Sequence, residues 1–429
     1  MAPTESTTRT ARLGERPRAH NPALDGLRGV AILLVLMIHL ICLSKGTART
    51  SVDALVFKVT CAGWSGVNLF FVLSGFLITG ILYDGKASPH RARNFFARRA
   101  LRIFPLYYGA LVLWLLVLPL APRDLTGLGS CPWRVQPWYW LHAVNWGQLA
   151  VGFDAVKLGH LWSLSIEEHF YLFWPWIVWS CQRRTAQWLC IAGILGSTVS
   201  RMLLAFWGIP TNRIWLLDTS HLDALALGAW FSLAVRGPRG PSALIRPARY
   251  VAAVSAVLLA AVIVWLGRMV HMDPLFQAFG MPPLVAFFGS GLILVAYAPR
   301  SSVLGRLLGA RPLRFFGTYS YGLYVWHALL MPFFDEWFPT ASYQLALGSW
   351  SVAALLHGGL STAVSVAVAL VSYHLYEKPF LAGKARFTDQ QVIPRPGLLR
   401  GSGARSAANS YARLKSREDE RVRSPDLDP

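Results

Sequence analysis

The sequence predicts an all-α, polytopic integral membrane protein with about ten transmembrane helices. Composition is the first observation, because 54% of the 429 residues are hydrophobic and only 14% are charged, against about 25% charged residues in an ordinary soluble domain. The second is a recurrence of apolar stretches, most of which approach the roughly 20 residues that a helix needs to cross a bilayer. These stretches lie at 24–44, 64–83, 104–120, 160–180, 186–207, 215–235, 250–268, 282–298, 316–334 and 350–375.

The distribution of basic residues predicts the orientation of these helices. A net charge of +20 would by itself suggest nucleic-acid binding. Cytoplasmic loops of membrane proteins, however, retain Lys and Arg. With the N-terminus inside, the predicted inner segments hold 32 of the 41 Lys and Arg residues. We therefore predict that both termini are cytoplasmic, that the surroundings are membrane lipid and that nucleic acid is not a partner.

Three regions follow from the polarity of the chain. Residues 1–20 and 383–429 are polar or basic and lack apolar periodicity, so we expect disordered cytoplasmic tails there. Residues 21–382 form the predicted transmembrane domain. The first apolar stretch has no small-residue cleavage site and is expected to remain as a helix. The Trp-rich stretch 138–153 is expected at the membrane interface.

The five cysteines do not predict a metal site. They show no CxxC spacing and no paired His ligands, which argues against zinc. Cys61 and Cys131 both fall in predicted outer loops. A disulfide between them is one alternative and two separate thiols are the other, since sequence alone does not set their separation.

The first helix contains a candidate base. Ionisable residues inside a span are costly and usually face the bundle interior, so each is a functional candidate. Arg28 and His39 are 11 residues apart in DGLRGVAILLVLMIH, a step of roughly three turns that predicts one shared face. A neutral imidazole there can take a proton from an attacking hydroxyl. The alternative is a histidine that hydrogen-bonds to a neighbouring helix.

A basic segment precedes the third predicted span. In RARNFFARRALRIFPLYY, Arg98, Arg99 and Arg102 fall within about one turn. Planar guanidinium groups suit phosphate, so the cluster would face phosphate at the membrane edge. A coenzyme A donor would need such a cradle. The alternative is a determinant of membrane topology that contacts lipid headgroups.

Carboxylates in the fourth span form a third candidate. Ser163 and Glu167 stand at i and i+4 in HLWSLSIEEHFYLFWPW, and Glu168 follows directly. At least one carboxylate therefore points into the bundle, where it would orient a base or receive a proton. An interfacial position without a catalytic role is the alternative.

Three weaker features lie further along the chain. Ser320, Tyr324 and His327 recur at i, i+4 and i+7 in a polar stripe, for which helix packing is the safer interpretation. Asp223 is another candidate for a buried acid, either part of the site or hydrogen-bonded between helices. Glu377 stands at the inner rim, where pairing with nearby arginines is the plain interpretation.

The order and residue identities of these motifs resemble those of the acyltransferase 3 family of membrane O-acyltransferases. The resemblance covers about residues 22–380 and rests on LDGLRG with an Arg-x10-His spacing, GVNLFFVLSGFLI, RRALRIFPLYY, LWSLSIEEHFYL, HLDALALG, YSYGLYVWH and YEKP. Asn68 departs from the pattern, because related sequences commonly have Asp in that context, so we assign it no charge-dependent role.

The resemblance implies residue roles. The position of His39 corresponds to the family's catalytic base, and Arg28, Arg99 and Arg102 correspond to arginines associated with the acyl donor or the reaction path. Arg98 belongs to the same basic run and is assigned with them to the donor. The positions of Glu167 and Glu377 also match family carboxylates, and we assign Glu167 to catalysis and Glu377 to the donor site.

The resemblance also implies substrates and location. The donor is expected to be acyl-CoA, either acetyl-CoA or a short-chain homologue, without a metal. The acceptor is expected to be a carbohydrate or a macrolide, and the protein is expected in a bacterial cytoplasmic membrane. The rival hypothesis is a transporter or flippase for a glycan or amphiphile, which would use the same buried groups for binding without consuming a thioester.

Overall fold

The computed structural model describes residues 21–120, 131–152, 158–267, 269 and 271–387. All regular secondary structure in these residues is helical, which confirms the predicted all-α class. The predicted tail at 1–20 and residues 388–429 lie outside the described residues. Helical structure continues through Gly383–Phe387, five residues past the point where the sequence led us to expect a disordered tail.

The helices differ in length, and those longer than 13 residues form the body of the bundle. They are α1 (Pro22–Met37), α3 (Ser65–Asp84), α4 (Arg91–Val112), α7 (Trp162–Ser180), α8 (Arg183–Phe206), α10 (Leu222–Val235), α11 (Ser242–Leu266), α12 (Met281–Ala296), α15 (Ser320–Trp337) and α17 (Trp350–Ser372). Shorter helices connect them: α2 (Ser51–Cys61), α5 (Gln136–Trp140), α6 (Val144–Val151), α9 (Thr211–Trp215), α13 (Val303–Leu308), α14 (Arg311–Thr318), α16 (Thr340–Leu347) and α18 (Lys378–Ala382).

Long apolar helices confirm a polytopic membrane protein. Seven helical stretches of the described residues are long and apolar enough to cross a membrane by length and composition. Three other predicted spans fall on α7, α10 and α15, which have 19, 14 and 18 residues and are not among the seven. The number ten and the cytoplasmic termini remain predictions.

Glycines allow the central helices to approach at backbone distance. A Cβ atom on Gly29 of α1 would clash with the backbone carbonyl of Leu313 in α14, and one on Gly228 of α10 would clash with the carbonyl of Val72 in α3. Small residues permit such contacts in membrane bundles. The glycines of DGLRG therefore fix the position of α1, and with it the position of Arg28.

A disulfide joins Cys42 to Cys61, with their Cα atoms 5.2 Å apart. The sequence offered Cys61 and Cys131 as partners, and that pairing is wrong because Cys61 is already bonded. Cys42 ends the π-helical turn Ile38–Cys42 that follows α1, and Cys61 ends α2. The bond therefore holds the end of the helix that carries His39 against its neighbour.

Polar contacts join the C-terminal ends of α3, α7 and α10. The Arg236 guanidinium, at the end of α10, donates two hydrogen bonds of 2.6 Å to the carboxylate of Asp84, at the end of α3. The ammonium group of Lys86 donates to the backbone carbonyls of Val178 and Cys181, at the end of α7. These contacts fix α3, α7 and α10 relative to one another, and α3 and α7 both line an internal cavity.

Candidate active site

A cavity of about 150 Å³ lies among α1, α3, α4, α7 and α15. It is smaller than most small-molecule pockets, which enclose roughly 300–1,000 Å³, so it accommodates part of a large ligand. Three arginines and one glutamate are part of its wall. The lining residues are Arg28, Val67, Phe70, Phe71, Leu73, Ser74, Leu77, Ile78, Ile81, Arg99, Arg102, Ile103, Ser163, Leu164, Glu167, Tyr171, Ser320, Tyr321 and Tyr324.

One face of α7 supplies a polar wall. Ser163, Glu167 and Tyr171 are spaced by four residues, so they project from the same side of the helix. The Tyr171 hydroxyl is hydrogen-bonded to Ser74 of α3, and the Glu167 carboxylate interacts with both hydroxyls. Glu168 is absent from the cavity lining. The sequence expectation that one carboxylate of the pair faces the bundle interior is thus met by Glu167.

Arginines give the cavity an excess of positive charge. The Arg99 guanidinium lies over the Tyr171 ring, 4.2 Å from its centroid, a cation–π arrangement that orients the side chain. Its buried Nε atom has no hydrogen-bond partner among the described residues and is available to a ligand. Arg28 forms an ion pair of 3.3 Å with Asp25. Together with Arg102, these groups suit a ligand that carries negative charge.

Arg98 does not join the other two arginines of its run. Its side chain is exposed and does not line the cavity. Adjacent residues on a helix point about 100° apart, so Arg98 and Arg99 cannot both face the same interior space. The run RRALR therefore divides into one exposed arginine and two that reach the cavity.

A smaller cavity of about 20 Å³ adjoins the first and shares Arg102 and Tyr321 with it. Glu377 lies in its wall, is 7% exposed and accepts a hydrogen bond of 3.2 Å from the Ser372 hydroxyl. Its carboxylate is also close enough to Arg102 for electrostatic attraction. Glu377 therefore lies beside Arg102 in the wall of the smaller cavity and does not line the main one.

His39 lies beyond the cavity and does not line it. Its Nδ1 atom is 3.0 Å from the backbone carbonyl of Val35 and 3.3 Å from Nε2 of His327. The His327 side chain is fully buried, so the His39 ring faces the bundle interior on that side. Sequence reasoning placed His39 and Arg28 on one face; the structure has Arg28 on the cavity wall and His39 in a π-helical turn, where the regular helical register ends.

Polar side chains connect the cavity to His39. The Tyr324 hydroxyl donates a hydrogen bond of 2.5 Å to the backbone carbonyl of His160, and it therefore accepts from Ser163 at 2.5 Å. The centroids of the Tyr324 and His327 rings are 5.8 Å apart, and those of His39 and His327 are 5.1 Å apart. Ser163, Tyr324 and His327 thus lie one after another between the cavity wall and His39, joined partly by hydrogen bonds and partly by ring contacts.

Helix packing does not fully explain the polar stripe on α15. Ser320 and Tyr324 line the cavity, and His327 contacts His39. Sequence reasoning also missed Tyr171, although it continues the four-residue spacing from Ser163 and Glu167. The same four-residue periodicity would have revealed Tyr171.

Asp223 lies outside the site. Its carboxylate pairs with Arg201 of α8 at 2.7 Å, and both side chains are almost completely buried. Arg201 also donates to the Ser197 hydroxyl and the Ser220 carbonyl. Of the two interpretations offered by the sequence, the interhelical contact is therefore the one that the structure shows.

No metal site is evident in the described part of the chain, where no group of three or more His, Cys, Asp or Glu residues is arranged to hold an ion. The buried histidine that contacts His39 bonds to a backbone carbonyl. His327 Nδ1 donates to the carbonyl of Leu323 at 2.8 Å.

The fold and the cavity together define a multi-pass membrane protein with a positively charged internal cavity. A family model described as an acyltransferase domain, Acyl_transf_3, matches residues 21–374. The chain therefore belongs to the acyltransferase 3 family, as its motifs suggested. No solved structure matches the chain significantly.

Several bacterial proteins are similar to this chain. The putative peptidoglycan O-acetyltransferase YrhL of Bacillus subtilis is 27% identical over 395 residues, 87% of this chain and 56% of that protein. The peptidoglycan O-acetyltransferase OatA of Listeria monocytogenes is 29% identical over 340 residues, covering 72% and 49%. The O-acetyltransferase OatA of Staphylococcus aureus is 27% identical over 335 residues, covering 74% and 51%. The chain spans about half the length of these relatives. Bacterial relatives and long apolar helices place it in a bacterial cell membrane.

Proposed function

We propose that this protein is a membrane O-acyltransferase that moves a short acyl group from acyl-coenzyme A to a hydroxyl group of a carbohydrate. The observation that carries the proposal is the cavity bounded by Arg28, Arg99 and Arg102, from which polar side chains lead to His39. Family membership supports acyl transfer as the reaction class.

The donor fits the cavity in part. Coenzyme A carries phosphates, which bidentate guanidinium groups bind well. Because the cavity holds only about 150 Å³, it takes the acyl and thioester end of the donor. The phosphates then lie on the cytoplasmic side, held by Arg99 and Arg102.

The reaction is a direct displacement at the thioester. His39 removes the proton of the acceptor hydroxyl as the oxygen attacks the thioester carbonyl carbon. The carbon–sulfur bond then breaks, and coenzyme A leaves as a thiolate that takes up the proton held by His39. Arg28 or a nearby donor stabilises the negative charge that develops on the carbonyl oxygen. Glu167, held by two hydroxyls, helps to position Arg99 across the cavity.

A carbohydrate is the favoured acceptor. The names of two relatives specify peptidoglycan, which argues for a sugar hydroxyl here. A macrolide hydroxyl undergoes the same chemistry and is the second acceptor to test.

Release of free thiol tests this proposal. Purified protein in lipid nanodiscs is mixed with acetyl-CoA and either soluble peptidoglycan fragments or a macrolide, and free coenzyme A is measured together with the mass of the acceptor. We expect thiol release that depends on the acceptor, with one acetyl group added to the product. Acceptor binding or transport into vesicles without thiol release would instead establish the transporter.

A further inference from the structure

His39 and His327 form a hydrogen-bonded pair that links the first helix of the bundle to α15. The Nδ1 atom of His39 is 3.3 Å from Nε2 of His327. His39 is partly exposed, whereas His327 is fully buried. The pair lies beyond the cavity wall. The motifs assign His39 to chemistry, whereas His327 received no chemical role from them.

Backbone carbonyls determine where the protons of both rings lie. A carbonyl oxygen only accepts hydrogen bonds. Because His327 Nδ1 is 2.8 Å from the carbonyl of Leu323, it must carry a proton, and Nε2 of the neutral ring has the lone pair. His39 Nδ1 is 3.0 Å from the carbonyl of Val35 and must also carry a proton.

The consequence for His39 is a defined tautomer. Its Nδ1–H group lies between two acceptors, the Val35 carbonyl and the lone pair of His327. The lone pair of His39 is then on Nε2, the atom that points away from these acceptors. A base needs its lone pair on the atom that meets the substrate, and the partner of the other ring nitrogen fixes that choice.

We propose that His327 is a positioning residue that holds His39 in the Nδ1–H tautomer and stabilises the imidazolium formed when Nε2 takes a proton. This inference rests on the proposed function of His39 as a base. The role resembles that of the third member of a catalytic triad, which orients the base and supports its charged form. Here the supporting group is a neutral imidazole lone pair in place of a carboxylate.

Two variants separate positioning from packing. Glutamine has an amide oxygen that can accept a hydrogen bond where His327 Nε2 does so, whereas leucine fills similar space without an acceptor. His327→Leu is expected to lower kcat roughly ten- to a hundred-fold, the effect of one hydrogen bond to a charged group. His327→Gln is expected to restore most of that loss, and neither change should alter KM for acetyl-CoA.

His357 provides a matched control. It is buried on α17, and its Nδ1 atom is 2.7 Å from the backbone carbonyl of Phe338. His357→Leu removes a histidine that bonds to a carbonyl in the same way but does not contact His39. We expect its kcat per folded molecule to match that of the wild type.

Nitrogen-15 NMR of histidine-labelled protein reports the His39 tautomer independently of turnover. We expect Nδ1–H in the wild type and in His327→Gln, and a mixture with Nε2–H in His327→Leu. An Nε2–H tautomer in the wild type would overturn the proposal, and so would equal kcat losses in the two variants with unchanged spectra. If His327→Leu does not fold, the wild-type and His327→Gln spectra test the proposal alone: Nδ1–H in both supports it, and Nε2–H in the wild type overturns it. Absence of acyl transfer by the wild type would contradict only the proposed function.

Discussion

The guanidinium of Arg99 lies 4.2 Å from the centre of the Tyr171 ring and joins α4 to α7 across the cavity. Tyr171 in turn is hydrogen-bonded to Ser74 on α3. Three helices thus converge on one cation. The buried Nε atom of Arg99 has no hydrogen-bond partner among the described residues, which is why we place the donor phosphates there.

Replacing Arg99 with glutamine should weaken donor binding. Loss of a charge-assisted hydrogen bond costs about 1.5–3 kcal/mol, so KM for acetyl-CoA should rise roughly ten- to a hundred-fold. A thioester that lacks phosphates, such as S-acetyl-N-acetylcysteamine, should show no such change. Initial rates with both donors measure the difference.

Arg98 offers the matched control for that experiment. It immediately precedes Arg99 on α4, but its side chain is exposed. Arg98→Gln should leave KM for acetyl-CoA within about twofold, since an exposed charge contributes little. Equal increases in KM for both variants would show that general positive charge, and not the cavity, attracts the donor.

Gly29→Ala should destabilise the protein. The added methyl group would meet the backbone of α14 at the carbonyl of Leu313, and backbone cannot move aside as a flexible side chain can. Overpacking of this kind costs typically 1–3 kcal/mol. Thermal unfolding in detergent measures the loss. Gly291→Ala is the control, because no atom lies within 4 Å of its added methyl group; an equal loss there would contradict the explanation.

The buried pair Arg201 and Asp223 should behave as a unit. Removing one partner leaves an uncompensated buried charge, which costs roughly 3–5 kcal/mol. Asp223→Leu should therefore lower the melting temperature strongly, and the double variant Arg201→Met with Asp223→Leu should recover much of it. Thermal unfolding of the four proteins gives the coupling energy. Additive losses would show that the two side chains act independently.

Stability should fall in mild acid, in part through His271. This residue lies between α11 and α12 and packs against Trp64 and Trp215 at ring distances of 5.2 and 4.6 Å. Burial lowers the pKa of His271 to about 4, below the usual value near 6.5. Between these two values the unfolded chain binds more protons than the folded one, so stability decreases as pH falls from 6.5 to 4, by up to about 1.4 kcal/mol per pH unit.

Melting temperatures between pH 7 and pH 4.5 measure that slope. His271→Phe keeps an aromatic ring and removes the titrating group, so its melting temperature should depend less on pH. An identical slope in the variant would assign the acid sensitivity to other groups.

Local periodicity predicted part of the site, and long-range contacts account for what it missed. Ser163 and Glu167 share a cavity wall because four residues nearly complete a helical turn, which is visible in the sequence. The partners of His39 and Asp223 are His327 and Arg201, each on a different helix. Such pairs depend on how helices pack. The sequence does not distinguish glycines at which an added methyl group would clash, such as Gly29, from glycines at which it would not, such as Gly291.

The Cys42–Cys61 bond is another long-range contact that local sequence patterns did not predict. Cys42 lies in the first predicted span, so the sequence points only to the outer-loop cysteines as partners. The π-helical turn Ile38–Cys42 brings the end of that span beside α2. A change of helical register is not encoded in hydrophobic periodicity.

The most direct test of the account compares the initial rate of acetyl transfer by wild-type protein with that of His39→Ala, at equal folded concentration confirmed by melting temperature. A positioned general base contributes typically 10²- to 10⁴-fold. We expect His39→Ala to lose roughly that factor in rate, with unchanged acetyl-CoA binding. Transfer at the wild-type rate by His39→Ala would contradict it.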